Sequence, residues 1–431
     1  MKTIQEILNL YFKPTFQGNL PIEGVFTDSR KPLKNGLFIA LTGPHFDGHD
    51  FIVKAIEKGA SAIAFQKGNK IPTTNPEITL YEVENPLDFY QNLAEKYLKH
   101  HPALKIAITG SSGKTTTKEF SKALLSQKYK VFATQGNLNN QVGVPFSALS
   151  LTNEDIAIFE LGTGKPGDIK KLANIIKPHY YVVTSVGEGH LEFFKTLDEV
   201  AKEKASGIEY AKKGICFKNL AKYPSFKPFE KISLRKIFTK TKPYQEGFFC
   251  DVDNISFQFP FFGTYQLENF ALALALAQNC EIKSYEAIRG LSKIKLPSYR
   301  QEKKEKKEIT FYLDCYNANP LSMLKATQAF CDLPFLKGRK ILILGDMLEL
   351  GKESPALHTQ LGKKLNLLKC DEILFIGTAI KDTFDAYQEK KAYFNKKEDL
   401  ILYLKKRAQP QDKIFIKASR GMQLEEVYEA F

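Results

Sequence analysis

A chain of 431 residues exceeds what one hydrophobic core organises, so two or three domains are expected. Hydrophobic residues at 43% and charged residues at 26% exclude a disordered or fibrous chain, and no apolar run approaches the length of a membrane span. The +14 formal charge comes from dispersed lysines that alternate with glutamates, which reads as a solvated surface and not a nucleic-acid arm.

The N-terminus, MKTIQEILNLYF, lacks the apolar core of a signal peptide, and six scattered cysteines without a CxxC pair suit reduced thiols in a cytoplasmic protein. The first hundred residues alternate strand-like runs (Gly36 to Ala40, Ala62 to Phe65, Ile78 to Val83) with helical ones (Phe51 to Lys58, Leu87 to Lys99). His100–His101–Pro102 breaks the last helix and sets a boundary near residue 100.

A buried strand, Lys105 to Thr109, then runs into Gly110–Ser111–Ser112–Gly113–Lys114–Thr115–Thr116 and a helix. Glycines there let backbone N–H groups turn around a polyphosphate at the positive end of the helix. Lys114 would neutralise the β/γ-phosphates of a nucleotide and the Thr115 hydroxyl would ligate Mg²⁺. Ile108 stands where the longer form of this loop has its first glycine, so the loop is a shortened one.

Two further strands come next, Ile156 to Leu161 and Tyr180 to Ser185. The first delivers Glu160 to its carboxyl end, and the second leads through two glycines to His190. A carboxylate and an imidazole at the ends of strands in one sheet with a phosphate loop can share a metal. The helix beginning at Val200 carries Lys202 and Lys204, residues that ordinarily form a solvated face. Lys303 to Glu308 (KKEKKE) reads as an exposed turn, and a polar interval before Pro297 marks a second boundary. Strands at Ile309 to Leu313, Lys340 to Leu344, Ile373 to Ile376 and Lys413 to Ile416 complete the pattern. The expected fold is three α/β domains in series: 1–100, a central parallel-sheet domain of the phosphate-loop ATPase type at 101–297, and a Rossmann-like domain at 298–431.

Seven segments in order, GSSGKTTTKE, GNLNNQVGVP, ELG with GDI four residues on, GHLEFF, DCYNANPLSM, GDMLELGKES and KASRGMQLEEV, resemble the Mur ligases from about residue 25 to the C-terminus. The resemblance implies an ATP-dependent amide ligase of cell-wall precursor synthesis that works through an acyl phosphate. Within the family, YNANP with GDMLELG points to UDP-N-acetylmuramoyl-tripeptide and D-alanyl-D-alanine as substrates, with ATP and Mg²⁺ as cofactors, and to a monomer. Carried over by motif, Lys114 and Thr115 are the phosphate-loop pair, Glu160 and His190 are metal ligands, and Lys204 is the lysine that related ligases carbamylate, with Lys202 behind it. Asn269 resembles the adenine contact, Arg300 and Asp314 resemble residues near the hinge that reach the nucleotide, and Asn317 and Asn319 belong to the phosphate-side YNAN loop. Asp28, Ser29 and Arg30, with Phe46, Asp47 and His49, resemble the UDP-sugar segments. Asn137, Asn139 and Asn140 match the muramoyl-peptide loop, and Lys417, Ser419 and Arg420 match the segment facing the incoming amine.

Three places depart from the family pattern. Gly162 to Lys165 replace an Asn-His pair, with Lys165 as the one cation on offer; Tyr265–Gln266 replace the start of the adenine motif; and Cys315 stands in for a serine. Two other readings compete with this one. Another ligase of the same type, such as a folylpolyglutamate synthase, would lack YNANP. A nucleotide-regulated binding protein would bind ATP without acceptor-dependent phosphate release.

Overall fold

The computed structural model describes residues 2–71, 75–188, 193–334 and 337–431 of the chain. Thr3 opens the first helix, Ile4–Tyr11, through a reciprocal capping box with Glu6. Parallel strands Gly24–Phe26, Gly36–Ile39, Ala60–Gln66 and Thr79–Val83 pair in that order in one sheet. Helix Pro86–His100 buries Phe89, Tyr90, Leu93, Ala94, Tyr97 and Leu98 in a core continuous with Val144, Ala148 and Phe159 farther along the chain. The first unit is therefore packed against the second.

In the second unit parallel strands lie in the spatial order Glu230–Ile232, Lys213–Phe217, Tyr180–Val183, Leu104–Thr109, Ile156–Glu160, Val131–Ala133. Leu104–Thr109 sits near the middle and is buried on both faces toward its end, hence its unbroken apolar reading. From it the chain fills one side of the sheet, then crosses to the other. That reversal opens a crevice at the carboxyl ends of Leu104–Thr109 and Tyr180–Val183. The middle of helix Thr264–Asn279, Phe270 to Ala277, is apolar all round because it is buried all round, and the helix packs against the phosphate-loop helix Lys114–Leu125.

The parallel sheet expected throughout 101–297 is interrupted. Lys240–Tyr244, Gly247–Val252 and Ile255–Phe259 form a separate antiparallel sheet, and its second turn is made by Asp253 and Asn254 at positive φ.

The third unit is a mixed sheet ordered Glu302–Lys306, Ile309–Leu313, Lys413–Lys417, Lys340–Gly345, Glu372–Ile376, Lys391–Phe394. The KKEKKE segment is not a turn throughout. Its first four residues belong to the antiparallel edge strand Glu302–Lys306, and only Lys307 and Glu308, both at positive φ, make the turn. Alternating Lys and Glu suit an edge strand, whose outer rim faces water and whose charges block further pairing.

Candidate active site

Strand Leu104–Thr109 ends in a loop that only glycine permits at two points. Gly110 has φ +149° and a Cβ there would lie 2.0 Å from Thr184 Oγ1; Gly113 has φ +84° and a Cβ would lie 2.4 Å from Asn269 Oδ1. The loop is braced from the next strand: Ser112 N–H donates to Ser185 Oγ at 2.9 Å, while Thr184 Oγ1 donates to Ser112 O at 2.5 Å. In the sequence Thr184 and Ser185 read only as a strand end; their hydroxyls, one strand from a phosphate loop, are the available signal. Lys114 is half-buried by surface but enclosed by the cleft walls, and its Nζ folds back on Gly110 O at 2.8 Å. Burial pushes its ammonium down, Glu160 pulls it back up, and Arg300 lowers it again.

Glu160 ends strand Ile156–Glu160 and is buried. Asn139 Nδ2 donates to Glu160 Oε1 at 2.8 Å, while Oε2 is buried with no hydrogen-bond partner among the described residues. An orphaned carboxylate oxygen beside a phosphate loop fits a divalent cation. Among the described residues no group of three His, Cys, Asp or Glu side chains gathers to hold a metal. A cation here would thus rest on Glu160, the Thr115 hydroxyl and nucleotide oxygens. His190 lies outside the described residues.

In helix Leu197–Ala205, Lys202 is exposed and Lys204 is buried. Burial holds the Lys204 ammonium well below its ordinary range, and Lys114 lowers it further. The loop of the first departure is tied by its own backbone: Gly164 and Lys165 N–H donate to Asp168 Oδ2 at 2.9 and 3.0 Å. The Lys165 side chain is exposed and does not line the cleft, contrary to the cation expected of it. Asn140 Oδ1 accepts from Val142 N at 3.1 Å and Gly143 N at 2.8 Å in the turn that leads into helix Gly143–Leu149.

The third unit supplies the facing wall. Arg300 donates to Thr115 Oγ1 at 3.0 Å and stacks on the Tyr316 ring, 4.2 Å from its centroid. Asn319 caps helix Pro320–Cys331 and reaches Ser111 O and Ser112 Oγ, both at 3.3 Å. Lys417 is buried on Asp314 at 2.6 Å, Ser419 Oγ accepts from Leu348 N at 2.9 Å, and Arg420 pairs with Glu425. Asn269 lies buried under Gly113, accepting from Thr117 Oγ1 at 3.3 Å, and Tyr265 lines the cleft beside it. Cys315 is buried and its thiol is pushed up to about 12, mainly by burial, which suits packing and not nucleophilic attack. The walls enclose about 530 Å³. Asn137, Asn139, Asn140, Thr116 and Asn317 line this cleft, and Gly110 and Lys204 do not.

The N-terminal candidates are elsewhere. Arg30 pairs with Asp28 at 2.9 Å, the Ser29 carbonyl accepts Lys58 Nζ at 3.2 Å, and Phe46 is 56% exposed. His49 contacts Asp47 through Nδ1 at 2.5 Å and accepts the Gln66 amide through Nε2 at 3.0 Å. None of these residues lines the cleft; they collect where parallel strands of the first sheet end.

Shortened phosphate loop, strand-end carboxylate and a third unit closing over both define a nucleotide-dependent α/β enzyme with its site between two units. Family descriptions match in register: the Mur ligase family catalytic domain at residues 21–97, the Mur ligase middle domain at 108–277 and the Mur ligase glutamate ligase domain at 299–420. A UDP-N-acetylmuramoyl-tripeptide–D-alanyl-D-alanine ligase of Bacillus subtilis is 32% identical over 94% of this chain and 92% of its own length. The crystal structure of MurF from Acinetobacter baumannii superposes with TM-score 0.85 at 26% identity, covering 95% of this chain and 93% of that one. MurF ligase from Thermotoga maritima, solved in complex with ADP, gives 0.83 at 27%, covering 96% and 97%. The chain belongs to the Mur ligase family.

Proposed function

We infer that this chain is an ATP-dependent ligase that joins D-alanyl-D-alanine to the terminal carboxylate of UDP-N-acetylmuramoyl-tripeptide. Residues 1–100, 101–297 and 298–431 are its UDP-sugar-binding, ATP-binding and C-terminal domains. The observation that carries the reading is the meeting in one cleft of the phosphate loop, the Glu160 carboxylate and the Lys417–Arg420 segment, in a chain aligned end to end with relatives named for this reaction.

The precursor carboxylate oxygen attacks the γ-phosphorus of ATP, and ADP leaves. The dipeptide amine then attacks the acyl carbon, loses a proton, and phosphate departs from the tetrahedral intermediate. Lys114, with the loop N–H groups, holds the transferring phosphoryl group, and Arg300 reaches the Thr115 side of it. Glu160 and Thr115 would hold Mg²⁺, which when bound neutralises phosphate charge. His190 is assigned to the same ion. Lys204 is the lysine we assign to carbamylation, because CO₂ adds to a neutral amine and burial keeps this amine deprotonated more readily than an exposed one. Asn269 and Tyr265 would meet the base, and Asn137, Asn139, Asn140 and Asn319 the UDP-linked muramoyl peptide. Asp28, Arg30, Phe46 and His49 would meet the UDP-sugar.

The enzyme is read as a cytoplasmic monomer, in keeping with its free, mostly buried cysteines, and size-exclusion chromatography checks its state. Phosphate release from ATP with purified UDP-muramoyl-tripeptide, varying the added amine, tests the reaction. Release that depends on D-alanyl-D-alanine is expected. Release with a single amino acid or glutamate would assign a different ligase, and ATP binding without acceptor-dependent release would mean a binding protein.

A further inference from the structure

Lys118 lies one helical turn beyond Lys114, yet it does not face the cleft. It is 1% exposed, and its Nζ donates to Thr134 O at 2.5 Å and pairs with Glu119 at 3.0 Å. Burying an ammonium is unfavourable unless its partners are fixed, so the residues it holds are informative. Thr134 is the first residue after strand Val131–Ala133, and three hydrogen bonds stitch it to the neighbouring strand, one of them from its Oγ1 to Ile158 O at 3.3 Å. Its N–H donates to Ile158 O at 2.9 Å, and its Oγ1 accepts from Glu160 N–H at 3.2 Å. The chain then leaves Thr134 directly into the loop that carries Asn139, whose amide holds Glu160 Oε1 at 2.8 Å.

We propose that Lys118 is a positioning residue, which ties the phosphate-loop helix to Thr134 and thereby fixes both the Glu160 backbone and the Asn139 loop that orients its carboxylate. The orphaned Glu160 Oε2 is the atom whose placement this clamp determines. The inference rests on the reading of Glu160 as a cation ligand, but not on the identity of the acceptor. It also gives a physical link between the nucleotide side of the cleft and the Asn137–Asn140 side, since one ammonium spans them.

The test measures Mn²⁺ binding by electron paramagnetic resonance on the full chain with ATP, together with thermal melting. Lys118→Met keeps the length of the side chain and removes the clamp; it is expected to weaken Mn²⁺ binding roughly 10- to 100-fold, the range for groups that orient a metal ligand. Lys118→Arg should recover part of the loss. Thr134→Val removes only the hydroxyl that receives the Glu160 amide, and it should weaken Mn²⁺ binding about tenfold with the lysine intact. Unchanged Mn²⁺ affinity in Lys118→Met, whatever its melting temperature, would overturn the proposal. Should that variant not fold, unchanged affinity in Thr134→Val would overturn it equally. Because Mn²⁺ binding needs no acceptor, a failed D-alanyl-D-alanine assay would leave this result standing.

Discussion

In the central domain the candidate residues are locked in place: Glu160 by Asn139 and by the Thr134 hydroxyl on its amide, Lys114 by its own loop, Thr115 by Arg300. In the N-terminal domain Arg30 and Phe46 stand exposed, and the charged candidates satisfy one another at the surface, as Arg30 does on Asp28 and His49, itself half-buried, does on Asp47. Rigid, desolvated groups act on a reacting centre, because their electrostatic effect is large and needs no reorganisation. Exposed groups that must let go of a partner are suited to holding the remote end of a substrate. The two regions should therefore fail in different kinetic parameters.

The largest effect is expected at Lys114. Lys114→Ala should leave the fold intact and lower kcat about 10³-fold, measured by phosphate release; retained turnover would remove this residue from the mechanism. Glu160→Gln preserves shape and can still accept from Asn139, but it removes the charge at Oε2. A kcat loss of about 10² is expected, with weakened Mn²⁺ binding and an unchanged or raised melting temperature.

Lys204→Met separates stability from function. Replacing the buried lysine amine by an apolar chain should stabilise the fold by about 1–2 kcal/mol in carbonate-free buffer at neutral pH, while lowering kcat roughly 10- to 100-fold. Because burial depresses this lysine below its ordinary 10.5, the unfolded chain binds the additional proton between the two values. Wild-type stability therefore rises with pH through that window, and the advantage of the variant should shrink as pH approaches 10.5. An advantage that stays constant with pH would show that burial does not depress the Lys204 amine. A carbamate signal with ¹³C-bicarbonate, present in wild type and absent in the variant, checks the modification.

The same contrast explains what is legible in the sequence. Strands buried on both faces announce themselves as unbroken apolar runs, and the phosphate loop is local, so Leu104–Thr109, Lys114 and Glu160 can be found by reading along the chain. The edge strand Glu302–Lys306 has no buried face to produce an apolar pattern, and it reads as a turn. Lys202 and Lys204 differ by two positions and stand on different sides of their helix, which only packing distinguishes. Thr184, Ser185 and Lys118 act through partners far away in sequence, a relation that pairing of strands creates and no local pattern encodes.

The smallest effect, and the one that most sharpens the contrast, concerns Arg30. Its guanidinium is exposed and held by Asp28 two residues earlier, so removing it should not move the melting temperature. If the N-terminal domain only tethers the UDP-sugar, Arg30→Ala withdraws binding that is equal in ground and transition states. KM for the UDP-linked precursor should then rise about tenfold while kcat and the KM for ATP stay unchanged. A fall in kcat at saturating precursor would mean that this remote contact also sets the position of the reacting carboxylate against the γ-phosphate. Steady-state kinetics on the folded variant decides between the two, because a tether and a positioning contact change different parameters.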